Sequence, residues 1–118
     1  MMAEAGSQPA MPRVECRVTP GKGADMGAET FCAALSAEIA ARLAPGAAAL
    51  IRAEIAQPNP RTLRVRLSWF ATPEGGGTAL GESPEMGLDV MDRDRLPDAQ
   101  IRRLARDLVT RSGLSLRD

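Results

Sequence analysis

The fold is indicated most clearly by the segment ALIRAEIAQPNPRTLRVRLSWF, residues 49–70. Apolar and polar residues alternate in both of its halves, which is typical of strands that are buried on one face only. The apolar positions are Ile51, Ala53 and Ile55 in the first half and Leu63, Val65, Leu67 and Trp69 in the second. Residues 57–61, QPNPR, have the composition of a turn. The pattern therefore predicts a β-hairpin with one apolar and one polar face.

The pairing of the two halves has a consequence for the polar face. If Ile55 lies opposite Leu63, then Glu54 lies opposite Arg64. Opposite charges that face each other across antiparallel strands attract. In this register we expect a Glu54–Arg64 ion pair.

A strand and a helix are predicted before the hairpin. The strand is indicated by Val14, Cys16 and Val18, which alternate with charged residues. The helix should span about 28–44, since Pro45-Gly46 ends it and apolar residues recur at every fourth position: Phe31, Leu35, Ile39 and Leu43. A single helix between two strands favours a parallel, right-handed connection.

A further strand and helix should follow the hairpin. The strand is expected within 78–92, but Pro84 has no N–H donor, so this strand is an edge or is interrupted by a bulge. The helix should start at Pro97 and end before Gly113. One apolar stripe runs along it: Ile101, Leu104, Ala105, Leu108 and Val109.

These elements predict an α+β fold with the order β-α-β-β-β-α. A sheet whose strands alternate is buried on one face only, so both helices should cover that face in a two-layer sandwich with a four-stranded mixed sheet. We expect one domain over residues 13–113, a flexible tail over 1–12 and a frayed C-terminus over 114–118.

Composition narrows the classes of function. The 15 basic and 15 acidic residues cancel, which disfavours nucleic acid as a partner. No apolar run approaches the roughly 20 residues of a membrane span. The sequence contains no His, the commonest general base and metal ligand, and has no complete catalytic motif. We therefore predict a non-catalytic protein without a cofactor or metal.

The two cysteines indicate in which cellular compartment the protein works. Cys16 falls on the inward side of the first strand, and Cys32 lies on the apolar side of the following helix. They are either two buried thiols or a disulfide, and a disulfide implies an oxidising compartment. This favours the periplasm over the cytoplasm, although residues 1–12 have no features of a signal peptide. The same tail would remain after removal of a leader.

The main functional hypothesis is a small binding or assembly-accessory domain, exported, that engages a protein partner as a monomer or weak dimer. The contact would use the edge of the strand within 78–92 or the polar face of the sheet. The candidate residues of that face are Arg17, Arg52, Glu54, Arg64, Arg66 and Phe70.

The alternative is a nucleotide or another anionic small molecule, bound with or without catalysis at the loop GKGADMG, residues 21–27. Glycines between a strand and a helix let a backbone approach a pyrophosphate. The spacing GxGxxxG, however, is one residue longer than the dinucleotide fingerprint. Asp25 and Glu29 would also put negative charge where a phosphate must lie.

Overall fold

The computed structural model describes residues 11–117 and confirms the α+β class with the order β-α-β-β-β-α. Of the tail expected over 1–12, residues 1–10 lie outside the described part of the chain. The elements are β1 (Arg13–Pro20), α1 (Gly27–Arg42), β2 (Leu50–Asn59), β3 (Thr62–Phe70), β4 (Gly81–Glu82), β5 (Met86–Asp89) and α2 (Asp98–Arg111).

The sheet is mixed, as predicted. β1 pairs with β2 in parallel, and β2 pairs with β3 in an antiparallel hairpin. The strand expected within 78–92 consists of two short pieces, since β4 and β5 both pair with β3. Between them the Ser83 N–H donates to the Leu67 carbonyl, and the Ser83 hydroxyl accepts from the Leu67 N–H. The interruption expected around Pro84 is therefore present, and Ser83 satisfies the backbone of β3 beside it.

Both helices pack on the same face of the sheet. The inward residues of β2 and β3, from Ile51 to Trp69, form one apolar cluster with the inward residues of the helices. The fully covered helix residues include Phe31, Leu35 and Ile39 of α1 and Ile101, Ala105, Leu108 and Val109 of α2. The period read from the sequence thus identifies the buried face of α1, β2, β3 and α2, whereas β1 is at most partly buried.

The helix ends lie within two residues of the predicted positions. α2 begins at Asp98, so Pro97 is the extended residue just before the helix and not its first turn. Gly113 follows the helix with φ 93°, a left-handed conformation that favours glycine.

The hairpin register differs from the expected one. Ile55 lies opposite Val65, and Glu54 lies opposite Arg66 rather than Arg64. The strands continue to Asn59 and Thr62, so the turn is shorter than the five residues expected. The Asn59 side chain tightens it by accepting the Arg61 N–H at 2.8 Å, and the register shifts between Ala56 and Asn59.

The C-terminal segment also differs from expectation, because residues 114–117 are docked against the end of α1. The Ala44 N–H donates to the Ser115 carbonyl, and the Arg117 N–H donates to the Arg42 carbonyl at 2.7 Å. Leu114 is 7% exposed and belongs to the apolar cluster. Backbone pairing and the burial of Leu114 therefore hold a segment that was expected to fray.

Removal of residues 114–118 tests this docking. We expect the shortened chain to lose about 2 kcal/mol or more of its free energy of unfolding, since truncating a buried leucine alone costs roughly 2–5 kcal/mol. Chemical denaturation measures the difference. Met91→Ala is the control, because Met91 is 82% exposed and a surface change of this kind shifts stability by about 0.5 kcal/mol at most. An unchanged midpoint in the shortened chain would show that the segment contributes nothing.

Candidate interaction surface

The side of the sheet opposite the helices carries a layer of charged residues, which we call the open face. It comprises the residues of β1, β2 and β3 that alternate with the core positions. Its charged members on these strands are Arg13, Glu15, Arg17, Arg52, Glu54, Arg64 and Arg66. Residues of opposite charge lie next to each other on adjacent strands. The registers of β1 with β2 and of β2 with β3 place Glu15 beside Arg52, and Glu54 between Arg17 and Arg66.

Three ion pairs organise these charges, and two of them share the Glu15 carboxylate. The Arg52 Nε–H donates to the Glu15 carboxylate at 2.7 Å, and the Arg17 Nε lies 3.7 Å from the same oxygen. The Arg66 guanidinium donates to the Glu54 carboxylate at 2.8 Å. The hydrogen bond from Arg52 lowers the pKa of Glu15, with a further contribution from the charge of Arg17. The bond to Glu54 raises the pKa of Arg66.

A shallow concavity of about 390 Å³ lies in the middle of the open face. Its floor includes Ala56, whose small side chain leaves the depression between longer neighbours. The charged residues around it are Arg17, Glu54, Arg64, Arg66 and Glu85. Arg64 forms no ion pair with any of residues 11–117, so its guanidinium is available to an incoming carboxylate.

Two of the predicted site residues lie outside the concavity. Phe70 is 6% exposed, and the Arg52 guanidinium stacks over its ring at 4.8 Å from the centroid. The loop over residues 71–80 covers them, since a Cβ at Gly75 would lie 2.7 Å from Leu50 and 2.9 Å from Arg52. Arg52 and Phe70 thus belong to a small internal cluster rather than to a contact surface.

Four of the predicted residues do come together, namely Arg17, Glu54, Arg64 and Arg66. Thr19 and Ala56 also line the concavity and were not among the predicted residues, although the two-residue period of β1 and β2 places both on the open face. The position of Glu85 beside the concavity could not be predicted in this way, because Glu85 follows the interruption at Pro84, where the two-residue period is lost.

The contacts of loop 21–27 disfavour it as an anion site. The Gly27 N–H donates to the Asp25 carboxylate at 2.9 Å, and the Ala28 N–H donates to the buried Gln57 side chain at 3.2 Å. These N–H groups at the start of α1 are the donors that a phosphate would need. A Cβ at Gly21 would overlap the Pro58 carbonyl, and one at Gly27 would lie 2.7 Å from the Gln57 amide. Close packing against β2 therefore accounts for both glycines.

The cysteines form a disulfide between Cys16 of β1 and Cys32 of α1. It ties the edge strand to the helix beneath it and closes a loop of 16 residues. A bridge over a loop of this length stabilises a fold by about 3 kcal/mol in the chain-entropy model. Neither sulfur is available as a nucleophile or a metal ligand while the bond exists.

The described residues contain neither a candidate metal site nor a candidate membrane-spanning helix. Within residues 11–117, no three His, Cys, Asp or Glu side chains are grouped so that they could hold a metal ion. No helix of that region has the length and apolar character needed to cross a membrane. Comparison of the chain with models of protein families, with curated proteins and with solved structures finds no match.

The ion pair of Glu15 predicts a specific pH dependence. Because its pKa is lowered in the folded chain, the pair stabilises the fold above the pKa of an unfolded glutamate, and this contribution is lost as the pH falls through the folded pKa. We expect NMR titration of the Glu15 carboxyl to give a midpoint below that of an ordinary glutamate. Arg52→Gln should raise this midpoint, whereas Arg66→Gln should leave it unchanged. Equal midpoints in the wild type and Arg52→Gln would contradict the assignment.

Proposed function

We propose that this chain is a small non-catalytic binding or assembly-accessory domain that engages a protein partner through the open face. The observation that carries the proposal is the concavity around Ala56, where exposed arginines and glutamates alternate on paired strands. Regular strands hold these charges at fixed separations, so the pattern is suited to recognising a complementary set of charges. Complementary charges across an interface favour a specific partner and speed its association.

The charge arrangement favours a protein over a nucleic acid. Around the concavity the bases Arg17, Arg64 and Arg66 are interleaved with the acids Glu54 and Glu85. A phosphate backbone would meet repulsion at both acids, whereas a protein surface can present carboxylates and bases in turn. Stacking on an aromatic is also disfavoured, because Trp69 and Phe70 are both buried.

The edge of β4 and β5 is a less suitable contact site than the open face. An added strand needs a continuous row of free N–H and C=O groups. Here the row is limited to Gly81–Glu82 and Met86–Asp89, with Pro84 between them. These breaks leave only short pieces for pairing, which is one way in which proteins protect sheet edges.

An exchange of the charges of the Glu54–Arg66 pair tests the proposal. In the double variant Glu54→Arg/Arg66→Glu the ion pair can re-form, so the free energy of unfolding should change by no more than about 0.5 kcal/mol. The charge pattern offered to a partner is nevertheless inverted. We expect a partner purified with the wild type from its native host to bind the exchanged variant at least about tenfold more weakly, which is roughly 1.4 kcal/mol.

The matched control is the double variant Arg95→Asp/Asp98→Arg, which exchanges an exposed pair of similar kind at the start of α2. It should bind as the wild type does. If both exchanged variants retain the partner equally well, the open face is not the contact site.

We further propose that the protein works in an oxidising compartment such as the periplasm, because the Cys16–Cys32 bond would be reduced by cytosolic thiols. The protein isolated from its native host, with thiols trapped during lysis, should bind no maleimide when denatured without reductant. After reduction it should bind two equivalents, which mass spectrometry can count. Two reactive thiols before reduction would remove the argument for export.

A further inference from the structure

The longest unpaired strand edge in residues 11–117 belongs to β1. β2 occupies one side of β1, and no other described strand pairs with it. The Arg13 N–H donates to Ala49, and the Gly21 N–H donates to Gln57, so the odd-numbered residues of β1 bond towards β2. The N–H and C=O groups of the even-numbered residues Val14, Cys16 and Val18 therefore point away from the sheet.

Prolines limit this edge at both ends. Pro12 and Pro20 have the same parity as the outward residues and have no N–H to offer. Between them lie seven residues centred on Cys16, and Val18 among them is 43% exposed. The free edge is thus a short row of backbone N–H and C=O groups that ends at a proline on either side. The side chains of Val14, Cys16 and Val18 make it apolar on the side of the helices.

We propose that this edge pairs with the same edge of a second copy of the chain, antiparallel and centred on Cys16. The two five-stranded sheets would then form one continuous sheet about a two-fold axis perpendicular to it. This inference does not rest on the proposed function, although Arg17 and Thr19 at the side of the concavity would lie beside Glu15 and Arg13 of the second copy.

The residues of β1 are self-complementary in this register. Val14 lies opposite Val18 of the second copy, and Cys16 lies opposite its equivalent. Outward residues that face each other in an antiparallel pair exchange both of their hydrogen bonds, so every outward N–H group finds a carbonyl oxygen. Glu15 lies opposite Arg17 of the second copy, on the open face, and each such pair occurs twice by symmetry.

The neighbouring symmetric registers lack this complementarity. A shift by two residues in one direction places Glu15 opposite its own equivalent and Arg13 opposite Arg17. A shift in the other direction places Arg17 opposite its own equivalent. Like charges directly opposite each other destabilise a pair of strands. In either case a proline also faces a valine, whose outward carbonyl is left without a donor.

The flank of α1 allows a second copy to approach. The disulfide holds α1 beneath the middle of β1, so the two copies of α1 would lie side by side across the axis. Most residues of this flank are small: Cys32, Ser36 and Ala40 face the β1 side, and Ala33 and Ala37 are exposed beside them. Small side chains let helices pack at the close end of the usual separation of roughly 8–10 Å. The exception is Glu29, three residues before Cys32 and seven before Ser36, whose exposed side chain lies on this flank in the first turn of α1.

Sedimentation velocity of the full chain over a concentration series tests the pairing. We expect the wild type to sediment with twice the mass of the chain. Val18→Pro should give a monomer, because it removes an outward donor while leaving the hydrogen bonds to β2 in place. Val18→Ala is the matched control, since it keeps the N–H group and should still dimerise. Circular dichroism establishes that both variants are folded.

Cross-linking tests the register. Thr19 lies opposite Arg13 of the second copy, at a pair without hydrogen bonds, where Cα atoms are about 4.5 Å apart and a disulfide can form. The double variant Arg13→Cys/Thr19→Cys should therefore yield a covalent dimer on mild oxidation, and each single variant should not. A wild type that remains monomeric at every concentration would overturn the proposal. So would a dimer that Val18→Pro does not dissociate, or equal cross-linking in the single variants.

Discussion

The register shift of β2 between Ala56 and Asn59 determines how β2 and β3 are aligned and therefore which charges of the open face meet. It aligns Glu54 with Arg66 and sets the row of charges that continues to Arg17 on β1. The buried side chain of Gln57, which lies within the shifted segment, holds the start of α1. A single irregularity in the hairpin thus fixes both the pattern of the open face and the entry into the helix layer. A register slip of one residue would exchange the faces of the strand, so the core also depends on it.

The loop of residues 21–27 illustrates how packing can imitate a functional motif. Its glycines suggest a phosphate site because they lie between a strand and a helix. In the structure Gly21 allows the backbone of β1 to pass close to Pro58, and Gly27 makes room for the Gln57 amide. The Asp25 carboxylate and the Gln57 side chain accept the N–H groups that a phosphate would otherwise meet. The donors of the helix start are therefore used within the fold.

The two edges of the sheet differ in a way that bears on interaction. The edge formed by β4 and β5 is short and interrupted at Pro84. β1 is continuous over Arg13–Pro20, and its limits are set by prolines rather than by an interruption. Among the described residues, β1 is joined to the helix layer by the Cys16–Cys32 bond, which keeps the strand in place although β2 is its only neighbour in the sheet. A strand that is both ordered and unpaired is a template for a further strand.

The order of the elements and the buried faces of α1, β2, β3 and α2 could be predicted from the sequence, because the two-residue and 3.6-residue periods report local geometry directly. The sequence also predicted that Cys16 and Cys32 point towards the same layer. Tertiary contacts set the partner of Glu54, the burial of Phe70 under loop 71–80, the docking of Leu114 and the position of Glu85 beside the concavity. Each of these depends on contacts between segments that are distant in the chain or on a shift in register. Neither a contact between distant segments nor a register shift changes the periodicity of the sequence, because periodicity reflects only a residue and its close neighbours in the chain.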